Sequence, residues 1–490
     1  MLRCYTSVEY VISIMVIDMK GTIKAVLAIR ALVFIVLLSF VTVSSYSTLS
    51  WKDTQGISGL NRSKAEVGPD VVFLGTSHSF CSIITAQLWE EYGIAAEDYS
   101  ESGQTFISTK YYLIEALKTC RPKVIFVELK GLNFALGFTN GVLYRNTINM
   151  QWSKNYVQNM NFAVGNVRKH LTAETDLREV SRDIILKFPV VHTRYRELRE
   201  DDFSDAVPEL RHRYNWSSEA FPVPEMCEEE EVAKLDLEEL AALDEMAALA
   251  GEYGFDLVLW VAPYIGTRAE MKKYNAVEEY ARENGIKFYN FFDLREKTGF
   301  DFSTDMCMEE PKGSHLNSFG AQKMTAYIGR MLNEDYDLPD RHADPAYSRY
   351  DEVLREWNVI RAAHILDTAE SLEEYLFGID PQLIDVTTIV LNSDSALGME
   401  GLSAFDIEES DVSGLFTNIA RNPVNGIWEL SDRVKLSIED DNIGQCILYD
   451  GTETVEIGEC DLCIVAVSKI NGKLINKTEF ILSDCGYMKK

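Results

Sequence analysis

Apolar runs alternate with amphipathic runs through the middle of the chain. PDVVFLG is a short apolar run closed by a glycine, and TAQLWEEYG behind it has the spacing of a helix. The alternation returns as AAEDYS, TKYYLIEALKT and KVIFVEL, the last nearly continuous in apolar residues, like a strand buried on both faces of a parallel sheet. From about residue 132 to 232 the pattern turns irregular, with stretches such as ILKFPVVHTRYREL, and reads as an insertion over the sheet. It resumes with LDLEELAALDEMAALAGEYG, FDLVLWVAP, a helix around AEMKKYNAVEEYARENG, IKFYNFF and a last helix around GAQKMTAYIGRML. Five strands alternating with helices predict a three-layer α/β domain over about 68–335, with a doubly wound, parallel five-stranded sheet. Sites in such sheets lie at the carboxyl ends of the strands. Beyond 338 a helical stretch, YDEVLREWNVIRAAHIL, is followed by short β runs such as VTTIVLN, RVKLSIED and CIVAVS, which predict an α+β accessory domain over about 340–490.

The first 50 residues follow another pattern. Lys20, Lys24 and Arg30 precede an uncharged apolar run from Ala31 to Tyr46, and with AVLAI ahead of Arg30 the stretch approaches the length of a bilayer span. The expectation is a cytoplasmic tail and a single membrane anchor over 1–50, with the bulk of the chain extracytoplasmic. A cleaved signal peptide ending at VSS near 43–45 is the alternative. Hydrophobic residues at 46% and charged residues at 25% describe an ordinary globular chain. A formal net charge of -30, with no basic stripe to offset it, argues against nucleic acid as a partner. The nine cysteines lack the paired spacing of a zinc ribbon, so neither a metal nor another cofactor is expected. Cys460 and Cys463 form a C-x-x-C, but inside a β-like run their side chains point to opposite faces, which disfavours a redox role.

Candidate chemistry begins at the first strand's end. Gly75-Thr76-Ser77 is a small-residue turn between a strand and a helix, a geometry that exposes a hydroxyl and sets backbone N–H groups beside it. A serine needs a base, and His315 lies in the loop before the last helix of the α/β domain, where it can approach the first strand's end.

These segments, the GTSHS turn, the ESGQT loop after the second strand and SHLNSFGAQK, resemble the first, second and last blocks of the SGNH/GDSL hydrolase superfamily. The resemblance covers about 68–335 and is nearest to the bacterial, membrane-anchored branch, which includes proteins of cell-surface polysaccharide O-acetylation and teichoic-acid D-alanylation. It implies Ser77 as nucleophile and His315 as base, with the N–H groups of Ser77 and Gly103 and the side chain of Asn133 as oxyanion donors. The family places an aspartate three residues before the histidine, and here that position is Lys312. Three completions stay open: a shifted carboxylate, with Asp305 expected ahead of Glu309 and Glu310; a Ser-His dyad; or an inactive site. His78 is a second base or, more simply, a residue that orients the turn or lines the pocket. His192 has a packed surface position as its plainer reading, Cys81 that of a small buried apolar residue, and Asn317 is expected to hold the His315 loop.

The function implied is hydrolysis or transfer of an acyl ester, O-acetyl first, on a cell-envelope glycan. The partners implied are the acylated glycan or an acyl donor, and a membrane-bound O-acyltransferase. A non-catalytic assembly or glycan-binding protein is the rival, supported by Lys312. D-alanyl transfer to teichoic acid, with a carrier-protein partner, is a further alternative.

Overall fold

Four consecutive apolar residues, Val71–Leu74, make β1, and each is fully shielded from solvent. A strand so placed must be covered on both faces, which is the situation of a parallel sheet wrapped by helices. The computed structural model of the protein describes chiefly residues 26–41, 67–133, 154–169, 215–307, 313–380 and 382–390, with shorter stretches elsewhere up to 490. Most of the expected insertion, with His192, and the residues Glu309, Glu310 and Lys312 lie outside the described residues.

The described chain forms two compact units, one of Met1–Lys64, Glu101–Gly103 and Phe134–Pro208, the other of Ala65–Ser100, Gln104–Asn133 and Glu209–Lys490. In the first, residues 26–41 are helical and leave Leu32, Phe34 and Phe40 exposed. Among the described residues no helix is long and apolar enough to cross a membrane.

The second unit has α/β architecture. After β1 come α1 (Ser77–Phe80), α2 (Thr85–Tyr92), β2 (Ala96–Asp98), α3 (Phe106–Thr119) and β3 (Val124–Glu128), followed by a 3-10 turn at Lys130–Asn133. Next are α4 (Leu237–Tyr253), β4 (Asp256–Val261), α5 (Arg268–Asn284), β5 (Lys287–Asn290) and α6 (Ser318–Asp335). All five strands pair in parallel, in the order β2-β1-β3-β4-β5. The order reverses direction between β1 and β3, so the connections after these two strands part to opposite faces and leave a crevice at their carboxyl ends. Ser77 follows β1 and Asn133 follows β3, so the topology alone brings both to that crevice.

Helix starts near the crevice are set by side chains. Thr105 caps α3 on the N–H of Ser108, and at α5 Thr267 and Glu270 cap each other's backbone N–H groups.

Beyond residue 338 the second unit continues with α7 (Arg349–Thr368), α8 (Leu372–Phe377) and β6 (Ile384–Val390). One side of α7 packs on the α/β layer, where Trp357 is fully buried against Ile84, Ala86 and Ala321. Its other side joins a core of Leu366, Tyr375, Ile384, Ile464 and Phe480. There β10 (Gly486–Lys489), β9 (Leu474–Ser483), β8 (Leu462–Ser468), β6 and β7 (Thr417–Asn418) form a sheet in that order. Arg341 to Asp70 and Arg361 to Glu90, each a two-bond guanidinium-carboxylate pair, fasten the same junction.

Gly75 carries the sharpest backbone requirement. Its φ is 149, and a Cβ there would lie 2.6 Å from Cβ of Glu128 on the neighbouring strand. Gly254 also has a positive φ, 73, but open space around it. Gly75→Ala is therefore expected to cost about 2–5 kcal/mol, strain plus overpacking, against about 1 kcal/mol for Gly254→Ala. Urea denaturation checks this, and equal losses for the two variants would remove the contact with Glu128 from the account.

Candidate active site

Ser77 opens a helix of a single turn, and Thr76 sets its start. The Thr76 hydroxyl accepts from the N–H of His78 at 3.0 Å and donates to Glu128 Oε2 at 2.7 Å. Glu128 ends β3 and is buried. Its Oε2 also takes the N–H of Thr76 at 3.2 Å, while Oε1 takes the N–H of Lys130 at 2.6 Å. One carboxylate thus joins the Ser77 turn to the turn carrying Asn133. Burial pushes its pKa up to about 7, against the pull of hydrogen bonds from Thr76 and Lys130. A second carboxylate, the half-buried Asp98 at the end of β2, accepts from Ser79 Oγ at 2.9 Å and from the N–H of Ser100 at 2.8 Å; its partial burial raises it to about 6. The Ser77 turn is therefore gripped from both adjacent strands.

His315 arrives on a short hairpin. The N–H of Cys307 donates to the His315 carbonyl at 2.9 Å, Met306 pairs with Leu316, and the N–H of Asn317 donates to the Asp305 carbonyl at 2.9 Å. Asn317 then caps α6 with Oδ1 on the Gly320 N–H, and its Nδ2 donates to the Thr304 carbonyl at 2.8 Å. The hairpin and the helix cap together aim the imidazole at β1. Nε2 of His315 lies 2.7 Å from Oγ of Ser77.

Nδ1 of His315 lies 2.9 Å from Oγ of Ser314. Asp305, the carboxylate expected there, is turned away: it is fully buried, and its oxygens take the Lys323 ammonium at 2.8 and 2.9 Å, the Asp301 N–H at 2.8 Å and the Thr304 hydroxyl at 2.9 Å. Lys323 stands in the second turn of α6, close enough to claim the carboxylate, and Asp305 supports the hairpin rather than the imidazole. Among the described residues no carboxylate reaches His315 Nδ1.

The surroundings keep the imidazole neutral. Burial first, and then the Lys130 ammonium, lower the His315 pKa to about 4. His78 is buried with its ring centroid 4.9 Å from that of His315, and burial, His315 and Lys130 lower its pKa as well. Lys130 pairs with Glu270 and lies over the Tyr264 ring at 3.9 Å, and Tyr264 meets His78 edge-on at 4.8 Å. Asn133 donates its amide to the Tyr274 hydroxyl at 2.9 Å, Cys81 is half-buried, and Gly103 belongs to the other compact unit, with a φ of 63.

Sequence reasoning passed over Glu128, Lys130, Tyr264 and Tyr274. A signal for Glu128 was available in KVIFVEL: a carboxylate closing a strand otherwise apolar throughout, beside the switch point, must find donors when buried. The tyrosines carried no comparable mark.

No family pattern and no curated sequence matches the chain. Among solved structures, a Bacteroides fragilis protein assigned as an acylhydrolase is similar at 11% identity and a TM-score of 0.28, over 56% of this chain and 94% of its own. A likeness at that score carries no argument about fold or function.

The depressed His315 value has a direct consequence. In NMR titration its ring signals are expected to move near pH 4 and to stay those of the neutral form through pH 6.5, the ordinary value for the group. Because the unfolded chain binds this proton more readily, His315 lowers stability as pH falls from 6.5 toward 4. Glu128, raised from 4.5 to about 7, acts with the opposite sign, so the site-specific titration is the discriminating measurement. A His315 midpoint near 6.5 would show that burial and Lys130 do not govern it.

Proposed function

We propose that the chain is an acyl-ester hydrolase or O-acyltransferase of the SGNH type, with Ser77 as nucleophile and His315 as base. The observation that supports this most is the 2.7 Å approach of His315 Nε2 to Ser77 Oγ at the carboxyl end of β1, beside the switch point of a parallel sheet. Ser77 Oγ attacks the ester carbonyl carbon as its proton passes to Nε2. The tetrahedral intermediate collapses, the C–O bond to the alcohol breaks, and the leaving oxygen takes the proton from Nε2. Water or a sugar hydroxyl then attacks the acyl-serine by the reverse path. For Nε2 to accept the proton, Nδ1 must hold one, which it donates to Ser314 Oγ. The Ser77 N–H and Asn133 serve as oxyanion donors in this reading.

A neutral serine hydroxyl at Nδ1 can accept from it or donate to it, so it neither fixes the tautomer as a carboxylate does nor offsets the charge of the imidazolium, and Lys130 opposes that charge. The reaction is accordingly slow by the standard of a site with a full triad. The substrate class is an O-acetylated or otherwise acylated envelope glycan, and the apolar run from Ala31 to Tyr46 tethers the chain at the membrane where such glycans are assembled. The rival reading, a non-catalytic glycan-binding protein, draws on Lys312, which stands where the family has its aspartate.

Ser77→Ala is expected to abolish turnover of an activated acetyl ester. Ser314→Ala should lower it by only about 2- to 10-fold, the worth of one neutral hydrogen bond. Addition of an oligosaccharide acceptor separates transferase from hydrolase by the appearance of acetylated sugar. Wild-type protein that turns over no faster than Ser77→Ala on any small ester would favour the binding protein.

A further inference from the structure

Asn133 is not left to solvent. Its Nδ2 donates to the Tyr274 hydroxyl at 2.9 Å, and that hydroxyl lies 2.7 Å from the Tyr264 hydroxyl. Both tyrosines are fully buried, and burial holds their hydroxyls protonated. Asn133 has only donors on Nδ2, so Tyr274 accepts from it and can donate its own O–H to the Tyr264 oxygen. The two rings come from different elements: Tyr264 from the loop after β4, Tyr274 from the second turn of α5.

The Tyr264 ring is itself held on several sides, by the Lys130 ammonium 3.9 Å from its centroid, by the His78 edge at 4.8 Å and by Phe292 at 5.6 Å. Lys130 in turn pairs with Glu270, which caps the helix that carries Tyr274. The 3-10 turn bearing Asn133 is pinned at its other end by Glu128, through the N–H of Lys130. The backbone of this turn is thus tied to the Ser77 turn, while its terminal amide is tied to the tyrosine pair.

We infer that Tyr274 and Tyr264 form a buried hydroxyl relay that orients the Asn133 amide for the acyl-transfer reaction, Tyr274 by direct contact and Tyr264 by fixing Tyr274. An asparagine on a short turn has two free side-chain torsions. One Nδ2 proton given to Tyr274 selects a rotamer and leaves the second proton for an oxyanion. Preorganised donors matter in the transition state more than in substrate binding, so loss of the relay is a kcat effect. Tyr274 and Tyr264 are positioning residues, and neither touches the reacting atoms. This rests on the reading of Ser77 as nucleophile and Asn133 as oxyanion donor.

The test is a double-mutant cycle on the full chain with an activated acetyl ester. Asn133→Ala should lower kcat by about 10²-fold, the scale of one oxyanion donor. Tyr274→Phe, which keeps the ring and removes only the hydroxyl, is expected to lower kcat by about 10-fold with KM within about twofold, and Tyr264→Phe by less. In the Asn133→Ala background both Phe variants should change kcat by less than about twofold. Equal effects of Tyr274→Phe in the two backgrounds, or no effect in the first, would overturn the relay while leaving Ser77 as nucleophile intact. If Ser77→Ala retains full turnover, the underlying reading fails instead. A crystal structure of Tyr274→Phe then judges the relay alone: an Asn133 amide in its original rotamer overturns it, and a rotated one sustains it.

Discussion

A carboxylate shut away from water must be met by donors, and Glu128 is met by three. The Thr76 hydroxyl, the Thr76 N–H and the Lys130 N–H converge on it, two on one oxygen and one on the other. Removing any of them would leave a buried carboxyl group short of a donor, so the two turns that leave the sheet at its switch point are held in one relative position. Gly75 completes the constraint, because only a residue without Cβ lets the β1 backbone come that close to Glu128. The one-turn helix of Ser77, the direction of the Thr76 hydroxyl and the start of the Asn133 turn all follow from that pairing.

On this frame the electrostatics are unusual for a serine site. Asp305 neutralises Lys323 rather than His315, so the base sees a hydroxyl on one side and the Lys130 cation beyond. His78 lies tilted beside it, and burial, His315 and Lys130 lower its pKa as well. The imidazole is available as an acceptor at any neutral pH, but among the described residues no carboxylate stands at Nδ1 to stabilise its protonated form. In the proposed reading, a well-placed nucleophile is combined with a weak base, and slow acyl transfer is what that combination would yield.

Much of this was legible in the sequence. Parallel strands buried on both faces must be apolar throughout, and VVFL, VIFV and LVLW are. Ser77 and His315 stood at strand ends, where an α/β sheet gathers its chemistry, and the structure brings the two together. Asp305 misled because linear spacing shows which residues are near a histidine but not which cation claims them; Lys323, eighteen positions on, is near only once α6 has formed. Tyr274 sits in an amphipathic helix where a buried aromatic is the ordinary expectation, and only its partners distinguish it. Beyond the change of composition near 338, Trp357 packs on Ile84, Ala86 and Ala321, and Arg341 and Arg361 pair with Asp70 and Glu90.

The central claim is that Ser77 becomes acylated with His315 as its base. Mass spectrometry of the full chain, quenched during reaction with an activated acetyl ester and then digested, tests it most directly. The account predicts a single acetyl group on the peptide containing Ser77, lost in Ser77→Ala and strongly reduced in His315→Ala. An ester consumed while Ser77 stays unmodified, with the acetyl group on another side chain or on none, would contradict it.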